Sequence, residues 1–183
     1  MKTRAIILKK INTNEHDQLI TCYTQELGKI TTIAKSILKK SSIQAMHLDL
    51  FNLVNFELVT VNSYPIITGA EAENTHLNIK SSMKAISTAF VLGEYVDKLT
   101  FEYSKDEDLW DFLVEVFACL NEGTSDTSGL LVSSQKKLLN ILGYYSDFQN
   151  NISNSDLHLT LENIAGQQLK SINFFHRVNA VLR

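Results

Sequence analysis

From Thr3 to about Asn74, apolar and polar residues alternate with a period of two, the spacing of half-buried β-strands. Ile6 and Leu8 mark a first short run, and Leu19 to Thr24 a second that is rich in Thr and Tyr. Beyond Gly28, Ile30-Thr31-Thr32-Ile33 forms a third run with a β-branched bias. The longest expected strand runs from Leu48 to Val61. It places Leu48, Leu50, Val54, Phe56 and Leu58 on one face, and Asp49, Asn55 and Glu57 on the other. Tyr64-Pro65 breaks it, and Ile66-Ile67-Thr68 opens a fifth strand. Five short strands with almost no helix signal predict a small closed barrel, because closure removes unpaired edges.

After Thr75 the period changes to 3.6. Ala85, Ala89, Leu92, Val96 and Leu99 form a helical stripe. Ser104-Lys105-Asp106-Glu107 has the form of a capping box with Ser104 as the cap, followed by the helical run Leu109, Phe112, Leu113, Val116, Phe117 and Leu120. Asn121 to Gly129 reads as a loop, Leu138, Leu139 and Leu142 as a third helix closing at Gly143, and Asn150 to Asp156 as a second loop. Leu157, Leu159 and Leu161 alternate like a strand, whereas Leu169, Ile172 and Phe175 step like a helix. The expected fold is α+β with the two kinds segregated, a five-stranded barrel domain over residues 1–76 and an α-helical domain over 77–183.

Hydrophobic residues make up 44% of the 183, enough for packed cores. No apolar run reaches the roughly 18 residues of a membrane span. The start leads from Arg4 into only Ala5 to Leu8 before Lys9, which does not read as a signal peptide. Cys22 and Cys119 are isolated and form neither a disulfide framework nor a metal knuckle, which fits a reduced, cytoplasmic setting.

Charge changes this picture. Residues 1–64 carry eight Lys+Arg and five Asp+Glu, a net of +3, whereas 65–183 carry nine and fifteen, a net of −6. Such asymmetry points to a polyanion-binding module joined to something else. From Leu27 to Leu48 no carboxylate interrupts Lys29, Lys35, Lys39 and Lys40. These lysines, with Arg4, Lys9 and Lys10 adjoining, are the candidate phosphate contacts, though the segment also reads as a solvated surface loop. Tyr23 and Tyr64 are the candidate base-stacking residues, and each also reads as barrel packing. Catalytic readings fail. Glu15-His16-Asp17 reads as a turn, Cys22 lies in an apolar strand, and no phosphate-binding glycine signature exists.

Several stretches together resemble the RecO family of recombinational DNA repair proteins. They are Ala5-Ile6-Ile7-Leu8, Asn14 through Leu19, Tyr23-Thr24-Gln25-Glu26-Leu27-Gly28-Lys29, Ala34-Lys35, and Ser42 with Leu48 through Leu58. Farther on, Glu94 through Leu99, Leu138 through Tyr144 and Gln168-Leu169-Lys170-Ser171 look like the family's helices and C-terminal ending. The sequence departs from the pattern at Ser36, where a Gly is common, at Ile43, where a basic residue is expected, and at Leu50, where a proline is expected. Where many members carry a four-cysteine zinc site, this chain has Asp147 through Asn154 and no cysteine, so no metal or other cofactor is expected.

The resemblance implies an OB-fold barrel followed by helices, and a protein that is not an enzyme. It further implies binding to single- and double-stranded DNA, annealing of complementary strands, and help in loading recombinase onto strands covered by single-strand-binding protein. Expected partners are RecR and the C-terminal tail of single-strand-binding protein, in the bacterial cytoplasm near the nucleoid. For the acidic, apolar-ended tail, the best local cluster is Lys136-Lys137 with Leu130, Leu131 and Phe117, although these apolar residues also read as inter-helix core. Two other classes stay open: an adaptor that kept partner binding and lost strong DNA affinity, and an unrelated small enzyme.

Overall fold

A computed structural model describes residues 1–61, 64–144 and 156–181. Five strands form a closed barrel in the order β1-β2-β3-β5-β4. They are β1 (Lys2–Asn12), β2 (Gln18–Thr24), β3 (Gly28–Ala34), β4 (Leu53–Val61) and β5 (Tyr64–Asn74). Closure comes from the antiparallel pairing of β1 with β4 and the single parallel junction of β3 with β5, where Ile33 meets Ile66. Alternation sends Ala5, Ile7, Ile20, Cys22, Ile30, Val54 and Phe56 into a buried apolar interior. Cys22 is fully buried, and burial pushes its thiol up, so it behaves as a small core hydrophobe.

The chain divides into two compact units, Met1–His76 with Thr100–Val114, and Leu77–Leu99 with Glu115–Arg183. Thr100–Val114, which the sequence pattern places in the helical half, belongs to the barrel's unit. In the second unit α2 (Met83–Leu99) is packed by α1 (Leu77–Ser81), α4 (Thr127–Ile141), α5 (Asp156–Ala165) and α6 (Ser171–Val181). The unit division falls inside α3 (Glu107–Glu122).

Four local expectations are corrected. The long strand begins at Leu53 rather than Leu48, because the chain turns at Phe51, whose φ is 63°. The Asn52 amide closes that turn by donating to the carbonyls of Met46 and His47 at 3.0 and 2.9 Å. At the start of α3 the cap is Asp106, which accepts from Leu109 N at 3.0 Å, and not Ser104. The loop expected up to Gly129 ends sooner, since Asp126 caps α4 by accepting from Gly129 N. Finally, Leu157–Leu161 is helical. Leu157 and Leu161, four apart, are buried, while Leu159 faces solvent.

α4 closes as the sequence predicts. Gly143 adopts φ 76°, Tyr144 N bonds to Leu139 O and Gly143 N to Asn140 O, the paired bonds of a Schellman cap. The cysteine-free stretch from Asp147 to Asn154 lies outside the described residues.

Candidate nucleic-acid interface

The lysine segment splits in two. Lys29 lies in β3, where its side chain is buried and its ammonium donates to the carbonyl of Thr100. Its backbone carbonyl accepts from Tyr103 N at 2.9 Å, and Lys29 forms a parallel bridge with Glu102. Opposite Lys29 in the register stands Tyr23, fully buried, with its hydroxyl 3.3 Å from the Asp106 carbonyl it donates to. Burial pushes the Tyr23 phenol up to about 12. Residues 100–106 thus cover this part of the β2–β3 outer face, and neither Lys29 nor Tyr23 is exposed to a nucleic acid. Gly28 permits the close approach, since a Cβ there would lie 2.1 Å from the Ser104 carbonyl oxygen.

Two more of the expected cations are held by carboxylates. Arg4 makes a bidentate pair with Glu73 at 2.7 and 2.9 Å and stacks its guanidinium 5.6 Å from the Trp110 ring centre. Lys10 contacts Asp49 at 3.3 Å.

Lys9, Lys35, Lys39 and Lys40 are exposed. Lys35, Lys39 and Lys40 lie on the connection from β3 to β4, which folds as successive turns rather than as an open loop. The β1–β2 hairpin turn latches its start: Asp17 Oδ1 accepts from Ser36 N at 2.7 Å, and His16 O accepts from Leu38 N at 3.0 Å. The Ser36 amide hydrogen bond holds the Asp17 carboxyl below its ordinary value. Ala34, Ile37 and Leu48 plug into the barrel core, so Lys35, between the first two, and Lys39 and Lys40, between the last two, are presented from a fixed base. Asp17 therefore has a structural task, as the turn reading of Glu15-His16-Asp17 implies, and sequence spacing alone gave no sign of its contact with Ser36.

Beside these lysines the barrel's outer surface is apolar. Register sets Ile11 opposite Leu19, Leu19 opposite Ile33 and Ile33 opposite Ile66, a half-exposed row across four strands. A parallel row sets Lys9 opposite Thr21 and Thr21 opposite Thr31. Tyr64 is 42% exposed, two residues before Ile66 and on the same face of β5. Such a surface offers cations to phosphates and apolar faces to bases or sugars. By contrast, the cleft of about 470 Å³ across β1, β4 and β5 presents Glu57 and Glu71, and its Lys2 is paired with Glu57 at 2.8 Å. That cleft does not suit a polyanion.

In the helical unit the expected tail cluster is partly consumed. Phe117 and Leu131 are buried, Leu130 is half-buried, and Lys137 contacts Glu115 at 2.6 Å. Lys136 is half-buried on the same helix. A cleft of about 260 Å³ elsewhere in the unit is lined by His158, Glu162, Leu169, Lys170, Ile172 and His176, among others. Among the described residues no group of His, Cys, Asp and Glu could hold a metal ion, and no helix is long and apolar enough to cross a membrane.

Comparison with known proteins places the chain. The family model for the N-terminal part of recombination protein O matches residues 1–76, and the model for its C-terminal part matches residues 80–158. The DNA repair protein RecO of Thermoanaerobacter sp. (strain X514) is 28% identical over 150 residues, 82% of this chain and 60% of that protein. RecO of Dehalococcoides mccartyi (strain ATCC BAA-2266 / KCTC 15142 / 195) is 36% identical over 106 residues, 58% of this chain and 40% of its own length. RecO of Mesoplasma florum is 28% identical over 149 residues, 79% of this chain and 55% of its own. The chain thus spans between two fifths and three fifths of these relatives.

Proposed function

The chain belongs to the RecO family of DNA repair proteins, and from that premise we propose that it binds single- and double-stranded DNA through the Lys35–Lys40 segment and brings complementary strands together. The observation that carries this reading is the exposure of Lys35, Lys39 and Lys40 on a pinned connection, beside Lys9 and the half-exposed Ile11–Leu19–Ile33–Ile66 row. Cations that meet solvent on a rigid base neutralise phosphates and release counterions, and an apolar surface beside them receives bases. The work is binding, with no bond made or broken. Fluorescence anisotropy of labelled single strands across a salt series tests it, run beside an annealing assay on complementary strands. Tight binding that weakens steeply with salt, with faster annealing, is expected. Binding that is absent at low salt would refute the reading.

One observation favours a second reading. Lys29, Tyr23, Arg4 and Lys10 are committed to internal contacts, so the exposed cation set is small. An adaptor that joins repair partners and holds DNA weakly fits that inventory. Salt-dependent DNA affinity separates the two.

In both readings the partners are RecR and the C-terminal tail of single-strand-binding protein, and the outcome is recombinase loading near the nucleoid. We place the tail on α4 at Lys136 and Lys137, with Leu130 at its edge. Replacing both lysines with Ala should weaken binding of an acidic tail peptide by about tenfold, one lost charge-assisted contact. Low-salt DNA binding should stay intact. Equal calorimetric affinity of the variant and the wild type for the peptide would remove the tail from this surface.

A further inference from the structure

Between β3 and β4 the same connection displays exposed apolar side chains. Ile43 is 82% exposed, Met46 is 72% exposed, and Leu38 is 39% exposed. Single exposed hydrophobes are ordinary, but three within nine residues, interleaved with Lys39 and Lys40, form a pattern. Flexibility does not explain their exposure. Ser42 N bonds to Lys39 O, His47 N and Leu48 N bond to Gln44 O, and the Asn52 amide holds the carbonyls of Met46 and His47. The His47 ring accepts from Ala72 N at 3.1 Å, and Leu48 is fully buried. The backbone is fixed on both sides of Ile43 and Met46, while their side chains project into water.

We propose that Ile43 and Met46 are an apolar wedge that enters between nucleobases of the strand whose phosphates Lys35, Lys39 and Lys40 hold. The idea rests on the DNA-binding reading above and adds to it the residues that unstack the bases. Aliphatic side chains such as Ile and Met insert between base steps when a neighbouring cationic surface fixes the backbone, and the apolar burial more than offsets the unstacking cost. Because the turns are already ordered, little conformational entropy is lost on insertion. The lysines decide the occupant. Their charges call for a polyanion, and stacked bases are the apolar interior that a nucleic acid offers beside its phosphates. A lipid surface offers the same charge but rewards a broad amphipathic face, and this connection supplies two projecting side chains on a chain of turns. Unstacking bears directly on annealing, since self-structure within a single strand must open before a complement can pair.

The test uses the full chain and single strands carrying 2-aminopurine, whose fluorescence rises when it leaves the stack. Wild type should raise that signal severalfold. The double variant Ile43→Ser, Met46→Ser should keep the salt dependence, bind about tenfold more weakly and lose the fluorescence rise, the net of forfeited burial of two aliphatic groups and the unstacking no longer incurred. The conservative double variant Ile43→Leu, Met46→Leu should retain both properties, which also guards against a folding defect in the serine variant. Unchanged fluorescence with the serine variant, or no rise with wild type despite salt-dependent binding, overturns the wedge and leaves the DNA reading standing. Absence of lysine-dependent binding by wild type overturns both. A parallel arm uses phosphatidylglycerol vesicles. If the serine variant loses only vesicle binding while its DNA behaviour matches wild type, the apolar pair serves a membrane and the wedge is wrong.

Discussion

Ser36 has a φ of 57°, a left-handed backbone that costs an L side chain about 1–2 kcal/mol, and the Asp17 carboxylate holds its amide there at 2.7 Å. The strain is local and reversible by sequence. Ser36→Gly should keep the fold and raise stability by up to about 1 kcal/mol, whereas Ser36→Val should lower it by about 1–2 kcal/mol. Urea denaturation of the two variants checks this, and a glycine variant weakened by more than about 1 kcal/mol would contradict the strain argument. Gly28 is the opposite case, since its φ is 71° and a Cβ would strike the Ser104 carbonyl. Gly28→Ala should cost about 2 kcal/mol or more and free the segment that covers Tyr23 and Lys29, seen as faster hydrogen exchange at Tyr103 N. Exchange there as slow as in wild type would show that Gly28 is not what admits the segment. At the residue scale the sequence marks Gly28 as the break before the third strand and Gly143 as a helix end. It could not see that Tyr23 and Lys29 are buried, because the groups that bury them lie more than 70 residues away.

Among elements, the helices of the second unit are tied by a buried polar chain. Gln135 of α4 donates to the Tyr95 hydroxyl at 2.7 Å, which lies 3.0 Å from His158 Nδ1. The other nitrogen of His158 faces Glu162 at 3.3 Å, and Glu162 accepts from Leu169 N at 2.8 Å. Burial holds His158 below its ordinary pKa of 6.5, outweighing the pull of Glu162 toward the charged form, with His176 and Glu94 nearby. A neutral ring with its proton on the nitrogen facing Glu162 leaves Nδ1 able to accept from the Tyr95 hydroxyl. An unfolded His158 takes up a proton near pH 6.5 that the folded one resists, so the unfolded state binds more protons just below that pH. Stability should therefore be fully present above pH 6.5 and fall as the pH drops below it. His158→Gln should flatten that fall in thermal scans between about pH 7 and 5, and a slope equal to wild type would exclude His158 as its source. Glu94 acts lower in the pH range. Burial pushes its carboxyl up, but hydrogen bonds from the Ser171 hydroxyl, Ser171 N and Lys170 N hold it below its ordinary value. The strands were legible at this scale because alternation is enforced by one apolar interior. The Leu157–Leu161 helix was not, since a leucine at every second position satisfies a strand and a helix equally until the packing partners are known.

At the scale of the whole molecule, charge reads differently from how it does along the sequence. The N-terminal third is basic, yet the folded unit that contains it carries nine Lys+Arg against twelve Asp+Glu, because Glu71, Glu73 and the acidic Thr100–Val114 stretch belong to it. The positive character is a property of one end of the barrel, at Lys9 and Lys35 to Lys40, and not of the unit. Family resemblance and barrel closure were readable from the chain, whereas this redistribution needed the contacts of residues 100–114. The proposal of DNA binding thus rests on the exposed lysines of the β3–β4 connection as the phosphate contacts. Its most direct test is the salt dependence of single-strand binding by wild type and by Lys35→Ala, Lys39→Ala, Lys40→Ala together. Three phosphate contacts give a slope of log K against log salt near −2, at about 0.7 per phosphate on single strands, and the triple variant should be nearly flat and weak at low salt. A triple variant with the wild-type slope would place the DNA elsewhere and contradict the account.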